Sequence, residues 1–133
     1  MQMSSVNIPI VASGGLYIAT AAIHAFMGGP EINAPIQASD LHPFIRAISA
    51  VIWHALTALF VIFGVALLWT ARDGSRALIV TILAVTLAFV ALFLGIGIVL
   101  LGTVGAMLQW VLFGAIAATL IWGLIRAPAP AFA

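Results

Sequence analysis

Four long apolar runs, parted by short polar breaks, dominate the pattern of this chain; they cover about residues 8–28, 43–70, 77–101 and 106–125. At 1.5 Å per helical residue each is long enough to cross a hydrocarbon core of ~30 Å. Gly28-Gly29-Pro30 is expected to end the first helix, because that triplet breaks helical winding. Glu31 to His42 then reads as a polar connection, with Pro35 inside it, long enough to fold over a bundle end. Pro43 suits the first turn of the second helix. Ala71-Arg72-Asp73-Gly74-Ser75-Arg76 reads as a tight charged turn, and Gly102-Thr103-Val104-Gly105 as a hairpin connection. Arg126, with Pro128 and Pro130, is expected to close the fourth helix.

Strands fit poorly: the runs lack alternation, and a membrane barrel needs at least eight strands of about ten residues. Helices satisfy every backbone group internally, as lipid demands. The fold class expected is therefore all-α, an integral membrane four-helix up-down bundle forming one transmembrane domain over residues 1–133. Met1–Pro9 has no positive n-region, and the apolar stretch after it exceeds a signal h-region. A retained first transmembrane helix is the expectation.

Composition sharpens this picture. The chain is 65% hydrophobic and 5% charged, against roughly 25% charged for a soluble domain, so its main partner is the lipid bilayer. Its four basic residues are all Arg and the net charge is +1, which excludes tracking a nucleic-acid backbone. No cysteine is present, which removes thiolate metal sites and cysteine nucleophiles. With four crossings, Arg72, Arg76 and Arg126 fall on one side and Arg46 on the other. The positive-inside rule then places both termini in the cytoplasm, of a bacterial inner membrane by the Ala/Gly/Leu bias. Trp69 and Trp122 sit near that boundary as a belt would. Gly15/Ala19, Ala21/Ala25 and Gly114/Ala118 are small-residue pairs that suit close helix packing.

Polar chemistry is confined to one island. Ser13, Tyr17, Thr20 and His24 recur at helical spacing and share a face. Arg46, Ser49, Trp53, His54 and Thr57 cluster on the second helix. The helical rise puts His24 about 7 Å and His54 about 12 Å below the outer ends of these helices, so both imidazoles could reach one site.

Three chemistries suit these residue types. His24 and His54 could hold a haem b iron axially. His24, His42 and His54, with Glu31 or Asp40, have the donors for Cu or Zn, although their spacing matches no metal motif. Tyr17, Trp53, His54 and Arg46 could line a pocket for a quinone or a lipid headgroup, or a path for a small solute. Against these stands the plainer reading. A buried His often only hydrogen-bonds the next helix, and Arg46 could pair with Glu31 or Asp40 as a clamp. No span holds an Asp or Glu, and no GxSxG, HExxH, P-loop or GxGxxG motif appears. The balance favours a non-enzymatic accessory subunit of a larger membrane assembly, partnered by another membrane protein or by copies of itself.

Overall fold

The computed structural model of the chain describes residues 6–126, and every regular element among them is helical. Helix α1 spans Ile8–Ile23, a π-helical stretch comes next over His24–Asn33, and α2 spans Ala34–Ala38. Then come α3 (Pro43–Asp73), α4 (Arg76–Leu101) and α5 (Gln109–Arg126). The first three elements run on without a break, giving four helices long and apolar enough to cross a membrane. The protein is thus an all-helical integral membrane protein. Met1–Ser5, and Pro128 and Pro130 of the expected last stop, lie outside the described residues.

Several element ends differ from expectation, each for a local reason. Gly28-Gly29-Pro30 does not stop the first helix; winding continues through it to Ala38. Pro30 has no N–H for the carbonyl four residues back, and its ring crowds that carbonyl. Widening the helix to i→i−5 bonds, as in Ala34 N–H to Gly29 O, relieves the crowding without exposing the chain end. The expected connection thereby shrinks to the segment between Ala38 and Pro43. The charged turn is shorter too. Ala71 to Asp73 belong to α3 and Arg76 to α4, so Gly74, at φ 73°, and Ser75 make the reversal. Helix α5 starts at Gln109, later than expected. The Trp110 indole N–H donates to Val104 O (2.9 Å) and Gly105 N–H to Thr103 Oγ1 (3.1 Å), which holds the preceding turn open.

The chain comprises two compact units, Gly14–Ala66 and Met1–Ser13 with Leu67–Ala133. The first is an antiparallel helical hairpin. Its contacts pair low numbers with high ones in steady order: Gly14 and Ile18 with Gly64, Tyr17 with Phe63 and Phe60, His24 with Thr57 and Trp53, Gln37 with Arg46. A Cβ on Gly64 would stand 2.6 Å from Ile18 Cδ1 and 3.0 Å from Gly14 O. Only glycine lets the backbones approach this closely.

In the second unit α4 and α5 form another antiparallel hairpin. Phe113 stacks on Phe89 (4.9 Å) and Phe93 (5.7 Å), and Arg76 Nη1 donates to Leu124 O (3.3 Å). Asn7 ties three helices together there. Its N–H donates to Ala71 O (3.0 Å), its Nδ2 to Gly123 O (2.9 Å), and its own carbonyl accepts from Ile10 and Val11 at the start of α1. Ser13 and Thr119 share a hydroxyl hydrogen bond of 2.8 Å.

The small-residue pairs sort into two kinds. Ala21 is buried and Ala25 half-buried, as a packing face requires. Around Gly15 and Gly114, by contrast, an added Cβ would meet nothing within 4 Å, and Ala19 and Ala118 are exposed. Those two pairs are not packing faces within the described chain.

Candidate functional site

The polar stripe on α1 exists as the sequence implies, buried at Ser13, Tyr17 and Thr20 and half-buried at His24. Most of its hydrogen bonding is absorbed locally. Ser13 Oγ donates to Pro9 O (3.0 Å) and Thr20 Oγ1 to Leu16 O (2.7 Å), the back-bonding that hydroxyls use when lipid offers no partner. Tyr17 packs between Phe60 and Phe63, edge-on to the latter at 5.5 Å.

The His24 ring is held across the hairpin by both stacking and a hydrogen bond. It stacks on the Trp53 indole with centroids 3.9 Å apart and planes at 20°, and Phe60 meets it edge-on at 5.6 Å. Nδ1 shares a 2.9 Å hydrogen bond with Thr57 Oγ1, which itself donates to Trp53 O (3.2 Å). One imidazole nitrogen is thus engaged and one ring face covered. Trp53 in turn lies over Gly28, where a Cβ would come within 3.1 Å of the indole. Gly28 keeps the space in which the indole can reach His24.

Beyond His24 the π-helical winding sets which residues face the hairpin. In α winding the stripe would continue through Gly28 to Glu31. The wider turn instead leaves Glu31 exposed and brings Asn33 and Gln37, half-buried, to the hairpin side. Gln37 then locks the end of the hairpin. Its Nε2 donates to Arg46 O (3.0 Å) and Asn33 Oδ1 (3.3 Å), and Arg46 Nη1 donates back to Gln37 O (2.9 Å). Arg46 Nε is shielded and has no partner among the described residues. The expected clamp of Arg46 onto Glu31 or Asp40 is replaced by this exchange with a neutral residue, and Asp40 is exposed as well.

Of the residues singled out from sequence, His24, Trp53 and Thr57 come together, with Tyr17 and Arg46 further along the same hairpin. His54 is exposed on α3, where Arg46, Ser49, Trp53, Thr57 and Phe60 take the covered side. On α3 the His24 ring stacks on an indole, and its hydrogen bond is to a hydroxyl. His42 is the N-cap of α3: its carbonyl accepts from Ile45 (2.9 Å) and Arg46 (3.2 Å), and its Nδ1 from Phe44 N–H (3.2 Å). Among the described residues no group of three or more His, Asp or Glu converges as a metal site would, so His24, His42, His54, Glu31 and Asp40 are not gathered. Gln37 and Asn7 are not among the residues expected from sequence. The spacing of Asn33 and Gln37 is a local signal for the first; nothing local marks the second.

The geometry offers a half-buried imidazole held against an indole, a locked hairpin end, and a cation whose hydrogen-bonding capacity is only partly used. No family model, curated protein or solved structure matches this chain, so the functional reading rests on that geometry.

Proposed function

We propose that this protein is a small accessory subunit of a larger membrane assembly, with both termini in the cytoplasm, which works by docking α1 against a partner helix. The observation that carries the reading is the outer face of α1. Gly15, Ala19 and Ala22 recur at helical spacing, all three are exposed, and no side chain among the described residues fills the space at Gly15. In lipid, small residues gain little from facing acyl chains, whereas against another helix they permit close backbone approach and dense van der Waals contact. The same residue type at Gly64 does its packing inside the hairpin, so the α1 face stands as the unfilled counterpart. The polar cluster of His24, Trp53 and Thr57 serves this role by fixing the pose of α1 on α3.

The reading is tested by replacing Gly15 and Ala19 with Leu and tracking migration of detergent-solubilised membranes on native gels. Wild-type protein should run within a complex larger than the single chain, and the double variant as the free chain with an unchanged thermal midpoint. A wild-type chain that runs alone, or a variant that keeps its complex, would refute it.

A further inference from the structure

The guanidinium of Arg46 is a permanent charge whose only hydrogen-bond partner among the described residues is the neutral carbonyl of Gln37, 2.9 Å from Nη1. Nε is shielded from solvent and has no partner among the described residues, so of the five N–H groups of a guanidinium those on the two terminal nitrogens are left for a ligand. The surroundings limit what can supply the missing acceptors. Arg46 lies in the first turn of α3, a helix of 31 residues, about 46 Å long and so comparable to a whole bilayer with its headgroups. That places Arg46 at the level of lipid phosphates. Pro43, one turn back on the same side, is exposed, and the adjoining Ile45 is 51% exposed, so apolar side chains next to Arg46 are open to acyl chains. Ser49, one turn on, is half-buried and provides a hydroxyl on the same side.

We infer that Arg46 binds the phosphodiester of a membrane lipid, with Ser49 beside it, and favours lipids of net negative charge. A phosphodiester supplies acceptors to the planar fork in bidentate geometry, and the uncompensated cation selects anionic headgroups. Gln37 acts as the positioning residue: by accepting from Nη1 it sets the direction in which the rest of the fork points. Free inorganic phosphate has the same acceptors, and the acyl-chain contacts open to Pro43 and Ile45 are what distinguish the lipid.

The direct test is solid-state NMR of guanidinium-15N-labelled protein in phosphatidylcholine bilayers containing phosphatidylglycerol, reading dephasing of the arginine nitrogens by lipid 31P. A variant with Arg72, Arg76 and Arg126 changed to Gln leaves Arg46 as the sole arginine and should keep the dephasing; Arg46→Gln in the natural chain should lose its share. Native mass spectrometry should show retention of phosphatidylglycerol about tenfold weaker in Arg46→Gln, the loss expected for one charge-assisted hydrogen bond. No dephasing in the Arg46-only protein would overturn the inference, and it needs no variant at Arg46 itself. Displacement of the lipid signal by millimolar inorganic phosphate would overturn the lipid assignment in favour of a free-phosphate site.

Discussion

His24 shows how a polar side chain is accommodated in a membrane helix by its own chain. The imidazole lies against Trp53 and its Nδ1 meets the Thr57 hydroxyl, so one contact is dispersive and one directional. Interhelical hydrogen bonds in lipid average about 0.6 kcal/mol and reach about 1.7 kcal/mol. A double-mutant cycle of His24→Ala and Thr57→Ala should return a coupling in that range, measured by reversible unfolding in mixed detergent micelles. The single His24→Ala change should cost more, about 1–3 kcal/mol, because the stacking goes too. Zero coupling would mean that the hydroxyl bond contributes nothing. The stripe to which His24 belongs is legible from spacing alone. The company it keeps is not: His24 and His54 look equivalent in sequence, yet one position beyond Trp53 on an α-helix is a rotation of about 100°, enough to carry His54 onto the exposed face. His42 caps α3, whose first turn has N–H groups that need acceptors.

At the scale of elements, the apolar runs predict the number of helices and their kind, because hydropathy over some twenty residues is a strong signal. Their ends are less legible. Gly28-Gly29-Pro30 carries the composition of a stop, but a chain in lipid loses more by leaving its backbone groups bare than by rewinding, and the π-helical stretch His24–Asn33 is the result. That rewinding turns Glu31 outward and Gln37 toward Arg46, which is why a neutral residue takes the place of the carboxylate clamp. Pro30→Ala restores a backbone donor and should return the stretch to α winding. Single cysteines at 31 and 33, introduced into the naturally cysteine-free chain, would report the change. Maleimide labelling at 31 should fall and labelling at 33 should rise in the Pro30→Ala background. Identical labelling patterns with and without Pro30 would show that the proline does not set the winding.

For the whole molecule, the small number of charges makes lipid its main surroundings, and the exposed side chains are chiefly large and apolar: Phe26 at 80%, Val99 at 80% and Ile125 at 77%. Such a surface is suited to acyl chains. The run of Gly15, Ala19 and Ala22 departs from this, apolar but small, and small residues at this spacing are legible in sequence as a packing signal. Sequence alone does not reveal which small residues pack at home. Gly64 and Gly123 are covered by Ile18 and Ile10 within their own units, whereas Gly15 is not. The measurement that bears most directly on the docking role is photo-crosslinking in native membranes from p-benzoylphenylalanine at position 19, with position 92, a large exposed residue on α4, as the control. A discrete protein adduct of one defined mass from position 19, and only lipid adducts from position 92, is the expected result. Lipid adducts alone from both positions would contradict a partner on the α1 face.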